Sequence, residues 1–301
     1  MKKTIVLLTL ILLLLSCKSK FTRIGDENAN YIPYYLKVYE ADSLYIIKEY
    51  EKSYAILDKL FNEYEPIDMD TYFEFSNYFE LKVVLNKKIK PKNFDLLVSK
   101  YGYVKERILV DSLLNIYVKN KYRDFEKKYP ELRKTYLATI NVSLRDSIKK
   151  MNALDQMYRQ KEQDLSKLKE IDTVNIQKIN KFFDKYGYIN KKVIGNSSID
   201  NSQVSIEVML LHTQPDYRLK TLMPKIHNYL LRGDASPLIY GKLYDQYLLY
   251  GGKEQYYGTY QTPKKIMMPL DTLNKRRKNI GLPSYGYERW RMKQLYPEKF
   301  N

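Results

Sequence analysis

The chain has 301 residues, with 52 Lys and Arg against 35 Asp and Glu, two His, one Cys and a formal net charge of +17. That length supplies one large or two ordinary domains with ample buried core. A 44% hydrophobic and 14% aromatic content excludes general disorder. One cysteine excludes an intrachain disulfide and a Cys-rich metal site, and His212 and His227 are too few and too far apart for a histidine zinc centre. No metal and no cofactor is expected. Gly241-Lys242 lacks the earlier glycine of a phosphate loop, and Gly195-Asn196-Ser197-Ser198 lacks the second glycine of a nucleophile elbow. Eleven Gly and eleven Pro leave few turns, which favours helices over an all-β fold.

The first element is an address. Lys2 and Lys3 precede an apolar run from Ile5 to Leu15, broken only by Thr9. A bilayer span needs roughly 20 apolar residues, so residues 1–16 read as a signal peptide. The run ends Leu14-Leu15-Ser16-Cys17, which resembles the lipobox of bacterial lipoproteins. The resemblance implies lipidation at Cys17. Each buried methylene of an attached chain contributes about 0.8 kcal/mol, and two or more chains anchor stably. No Asp follows the cysteine, which by analogy with other lipoproteins implies the periplasmic face of the outer membrane. Loss of residues 1–16 takes two lysines from +17 and leaves +15. Secretion argues against nucleic acid as the counterpart. A Lys-rich solvated surface is the preferred reading of that charge, with anionic envelope polymers or lipid headgroups as the counterparts otherwise expected, and a helical array offers a surface for another envelope protein or a peptide.

Residues 17–30 carry the cysteine and then KSKFTRIGDENAN, which shows no period and is expected to be a flexible tether. Residues 31–136 are expected to form antiparallel helical hairpins. Tyr39, Leu44, Ile47 and Tyr50 lead into Tyr54, Leu57, Leu60, Phe61 and Tyr64 at helical spacings. Pro66 stops that helix, Asp70 is placed to cap the next, and Pro91 marks another start. The stretch from Ala41 to Ala55 loosely resembles a tetratricopeptide-type hairpin, without identical 34-residue units. Residues 137–170 are expected to form a long connecting helix, with Leu144, Ile148, Met151, then Leu154 or Asp155, and Tyr158 on one face.

From 171 to 301 a compact helical domain is expected, with helices at 174–186, 202–212, 217–231 and 236–250. Val204, Ile206 and Val208 alternate and leave a strand as the other choice there. The stretch 255–268 is the candidate for one short β-hairpin, around Gly258. Phe94 to Tyr103 is echoed by Ile179 to Tyr188 at an offset of 85, each ending Tyr-Gly-Tyr. Both copies read as a helix stopped by a left-handed glycine; duplicated binding sites are the alternative. The whole is a mainly α protein.

The C-terminal half, about 150–285, resembles an uncharacterised bacterial helical domain of unknown function. The pieces that carry this are Leu154-Asp155-Gln156 with Arg159, Tyr186-Gly187-Tyr188, Leu210-Leu211-His212, Leu243-Tyr244-Asp245, Gln255 with Tyr257-Gly258-Thr259, and Arg276-Arg277. Tyr186, Tyr188 and Thr213-Gln214-Pro215-Asp216 depart from the usual pattern. The resemblance implies no activity. Its polar residues are the candidate ligand site or polar network: Asp155, Gln156, Arg159, His212, Gln255, Tyr257, Arg276 and Arg277. Asp155 and Arg159 stand at i, i+4. With Asp155 orienting His212 as a base and Arg276 meeting negative charge, the alternative reading is a hydrolase or transferase acting on envelope material. The expectation preferred to it is a non-enzymatic binding or scaffolding module.

Overall fold

The structure is a computed structural model that describes residues 21–159, 165–261 and 267–300. Residues 1–16, expected to be a signal peptide, and Cys17 lie outside the described residues. Among the described residues the protein is α-helical, and its one β-type contact is an isolated bridge between Thr22 and Tyr64. The longer helices are α1 (Ile32–Ile46), α2 (Tyr50–Glu63), α3 (Glu74–Val84), α4 (Ser112–Lys121), α5 (Phe125–Ala138), α6 (Val142–Met157), α7 (Leu165–Tyr186), α8 (Met223–Leu231), α9 (Pro237–Tyr250), α10 (Leu270–Asn279) and α11 (Tyr287–Leu295). None among the described residues is long and apolar enough to cross a membrane.

Local sequence accounts for many of the ends. Asp111 accepts the Leu113 and Leu114 N–H groups to open α4, and Asn141 accepts Leu144 N–H to open α6. Ser236 caps α9 with Pro237 at its first position. Helix α2 ends before Pro66, as expected, and Pro91 opens a helical turn. Asp70 does not cap α3. The residue before that helix is the left-handed Phe73 (φ 49°), and Asp70 instead pairs with Lys191 at 2.7 Å. Glu74, the first residue of α3, turns back to accept Met69 N–H and the Tyr34 hydroxyl.

Three apolar clusters hold the molecule together. The first lies within the N-terminal half, where Phe75 and Phe79 of α3 meet Phe94, Leu97, Val98, Leu114 and Phe125. The second joins the halves: Tyr31, Tyr34, Tyr35 and Val38 pack with Leu57 and Leu60, and with Leu230, Tyr257, Ile280 and Leu282. The third is C-terminal and contains Leu144, Ile148 and Met151 of α6, Ile179 and Phe183 of α7, and Met209, Ile226 and Leu243. Two of the buried tyrosines of the second cluster give their hydroxyls a main-chain partner. Tyr35 OH donates to Ala235 O and Tyr31 OH to Thr22 O.

The residues expected to be a free tether are docked where the structure describes them. Thr22 exchanges backbone hydrogen bonds with Glu63 and Glu65, and Gly25 N–H donates to Arg232 O at 2.9 Å. Absence of period removes a helix, but not backbone pairing to elements already in place.

The expected long connecting helix is two helices. Residues 13 apart on one helix would stand about 20 Å apart along its axis. Yet Arg159 bonds both Asp155, four residues before it, and Asp172, thirteen after it. Helices α6 and α7 therefore are not one continuous helix but lie side by side, and the expected 174–186 helix is the latter part of α7. Residues 160–164 lie outside the described residues. No strand forms at 204–208, where a short helix begins at Glu207. Residues 255–261 form a loop, not a hairpin arm, and residues 262–266 of the hairpin candidate lie outside the described residues.

Both copies of the echo end on a left-handed glycine, Gly102 and Gly187, each at φ 71°. The first turn is filled by the fold itself: Gly102 O accepts from Arg133 and Ser198, and Tyr101 O from Asn196. That is the shared helix stop.

Candidate functional site

The predicted polar residues separate into two groups. The first forms where α6, α7 and the short helix Glu207–Leu211 meet. The apolar face of α6 runs Leu144, Ile148, Met151 and continues on to Asp155, buried at 1% exposure, while Leu154 faces solvent. A charged side chain thus takes the last core position of the helix and has to be paired there. His212 follows directly on the short helix. Its Nδ1–H donates to Asp155 Oδ1 at 2.9 Å. Gln156 Nε2 donates to Asp155 Oδ2 at 2.8 Å, and Arg159 reaches the same carboxylate at 3.3 Å. Arg159 also pairs with Asp172 on α7.

Buried Arg218 holds the main chain on either side of His212. Its guanidinium donates to Leu211 O, to Thr213 O and to Thr213 Oγ1. Two groups therefore fix the imidazole: a carboxylate on Nδ1 and a clamp on the backbone. With Nδ1 bonded to Asp155, Nε2 is the ring nitrogen left for a further contact.

Burial alone would raise the Asp155 carboxyl, but the His212 hydrogen bond and charge, then Arg159 and Gln156, outweigh it and hold it below the usual range. Asp172 goes the other way. Its burial outweighs the Arg159 pairing and raises it. Asp155, Asp172 and His212 each place one potential ligand atom within 4.8 Å of the others. The Arg159 guanidinium, bonded to both carboxylates, already supplies the positive charge that a metal ion would bring.

The second group surrounds Asp245 on α9. This carboxylate is fully buried and accepts four hydrogen bonds: Tyr256 N–H, Tyr257 N–H and Thr259 N–H, each at 2.8 Å, and the Thr259 hydroxyl at 2.7 Å. Gly241, one turn earlier on α9, lets the loop come close; a Cβ there would lie 2.9 Å from Thr259 Cγ2. Gln255 closes the loop by pairing both ways with Tyr260, at 2.9 and 2.8 Å. Arg277 of α10 is buried and donates to Tyr257 O and Pro283 O, each at 2.7 Å. Burial lowers its pKa from the ordinary guanidinium value.

Arg276 belongs to neither set of hydrogen bonds. Its guanidinium lies 3.9 Å from the Tyr256 ring centroid and donates to Met268 Sδ. The structure therefore bonds Asp155 to His212, while Arg276 has its contacts elsewhere; the cation beside the pair is Arg159.

Three residues in these networks were not singled out from sequence, Asp172, Arg218 and Asp245 as an anchor, and neither was Arg145, which forms a separate buried network. Arg145 is 1% exposed and donates to Ile194 O, Gly195 O, Ser202 O and Asp200. A signal existed only for Asp245, which falls among the pieces quoted above for the resemblance. No family model, curated protein or solved structure matches the chain.

Proposed function

We propose that this chain is a lipid-anchored protein of the bacterial cell envelope, whose helical body binds or scaffolds a partner without chemistry of its own. The anchor rests on Leu14-Leu15-Ser16-Cys17, where the chain's one cysteine falls at the position a lipobox requires. The observation that carries the non-enzymatic reading is the state of the charged candidates. Arg159, Asp155 and Asp172 satisfy one another, Arg277 holds two loop carbonyls, and Arg276 stacks on Tyr256 away from His212. Such networks lock a fold.

The test has two parts. Labelling with a radioactive fatty acid marks the wild-type protein and not Cys17→Ala, and membrane fractionation follows the label. Equal labelling of both overturns the anchor. In-cell cross-linking then captures a partner that survives His212→Ala. Capture that requires the imidazole overturns the scaffold reading.

The Asp155–His212 hydrogen bond favours a second reading, a hydrolase or transferase of envelope material with Nε2 of His212 as base. Its test is incubation of the purified protein with envelope extract. Released products that vanish in both His212→Ala and Asp155→Asn support it; their persistence in either variant removes it.

A further inference from the structure

A cleft of about 580 Å³ opens between α1, α10 and α11, and none of the candidate polar residues is in its lining. Its volume lies within the range of small-molecule sites, about 300–1,000 Å³. The walls are Tyr39, Leu282, Tyr287 and Trp290, and the rim includes Lys275 and Lys278. Trp290 is the chain's one tryptophan.

The aromatic wall is held from behind. Tyr287 stands 6.0 Å from Tyr39 and 5.5 Å from Trp290, centroid to centroid. Its hydroxyl donates to buried Asp42 at 2.6 Å, and Arg291 pairs with the same carboxylate at 2.8 Å. The rings are therefore pre-positioned, and a ligand would lose little affinity to ordering them. Arg277 faces the opposite way on α10, and its bond to Pro283 O fixes the loop that closes one side of the cleft.

The charges on the rim are unbalanced. Glu40 is already paired with Lys37 at 2.6 Å. Lys275 and Lys278 stand three residues apart on one face of α10, and among the described residues neither has a carboxylate within salt-bridge distance. Apolar walls with two unpaired ammonium groups at one edge call for an apolar body that carries an anion.

We infer that this cleft binds a small amphipathic carboxylate, its aromatic or alkyl body against Tyr39, Leu282, Tyr287 and Trp290 and its anionic head between Lys275 and Lys278. This gives a ligand class to the binding reading above and rests on it. The two fail separately, because a titration of purified protein reads the body, whereas labelling and capture read its address and partner.

The experiment is a titration of the full-length purified chain with 4-phenylbutyrate, followed by Trp290 fluorescence and by calorimetry. The uncharged isostere 4-phenylbutanol and plain acetate serve as comparisons. The expected result is a saturable fluorescence change with the acid, affinity at least tenfold weaker for the alcohol, and no change with acetate. Lys275→Glu with Lys278→Glu lowers affinity for the acid at least tenfold at an unchanged unfolding midpoint, since both side chains are exposed. Trp290→Phe removes the optical signal while calorimetry still detects binding. Three results overturn the inference: no saturable change up to about 10 mM acid, equal affinity for acid and alcohol, or unchanged affinity in the charge-reversed variant.

Discussion

Replacing Asp245 with Asn changes almost no volume and removes one charge from a fully buried position. In the native protein both carboxylate oxygens are saturated, one by Tyr256 and Tyr257 N–H and the other by Thr259 N–H and hydroxyl. The Asn carbonyl still serves the first pair, but as a neutral acceptor, which costs about 1 kcal/mol per bond. The amide NH₂ then faces Thr259. The hydroxyl can rotate and accept from it, but the Thr259 N–H cannot and is left buried without a partner, at about 1–3 kcal/mol. The sum is about 3–5 kcal/mol, a large part of the 5–15 kcal/mol that ordinarily separates folded from unfolded chains. The assay is urea unfolding followed by far-UV circular dichroism, with the denaturant slope checked for constancy. A loss below about 1 kcal/mol at unchanged slope would show that the loop 256–259 is not held by this carboxylate, and the account of the second network would fail with it.

Arg145→Ala removes the donors that hold Ile194 O, Gly195 O and Ser202 O. It should cost about 3–5 kcal/mol in the same assay, and a cost under 1 kcal/mol would contradict the role given to that side chain. Gly102→Ala and Gly187→Ala impose the same left-handed strain, about 1–2 kcal/mol, but only at Gly102 would the new Cβ meet a neighbour, 2.3 Å from Tyr136 Cζ. Gly102→Ala should therefore be the worse by about 1–3 kcal/mol, and equal costs would refute the packing argument. Burial, then the nearby Asp111, push the Glu80 carboxyl up to about 7 against the Tyr45 hydrogen bond. The folded state thus keeps a proton that the unfolded state has released, so this contribution is fully present below about pH 4.5 and is lost as pH rises through about 7, on the order of 3 kcal/mol in all. Glu80→Gln should flatten the dependence of the urea midpoint on pH between 5 and 8; an unchanged slope would remove Glu80 as its source.

Much of the helical architecture was readable because it is set by near neighbours. Pro66, Pro91 and Ser236-Pro237 act within one turn of chain, as do Gly102 and Gly187, and each terminates or opens a helix as its chemistry requires. Asp70 shows where that logic stops. It has the right residue type for a cap, but Lys191, 121 residues away, draws it elsewhere. The same competition explains the docked residues after Phe21, whose partners are Glu63, Glu65 and Arg232.

The candidate polar residues were legible by type but not by grouping. The i, i+4 spacing of Asp155 and Arg159 follows from helix geometry alone. That His212 completes the pair, that Asp172 joins it and that Arg276 does not, all depend on the side-by-side packing of α6 and α7. The cleft carries no local mark at all, since Tyr39, Lys278 and Trp290 come from three helices.

The amino-acid sequence by itself determined the helical class and the helix stops at prolines and glycines, because each depends on residues within a few positions of one another. Tertiary structure alone decided which charges meet, which tyrosines are buried and where a cavity is left. Those outcomes depend on contacts across tens to hundreds of residues, and a one-dimensional pattern contains no distance between such residues.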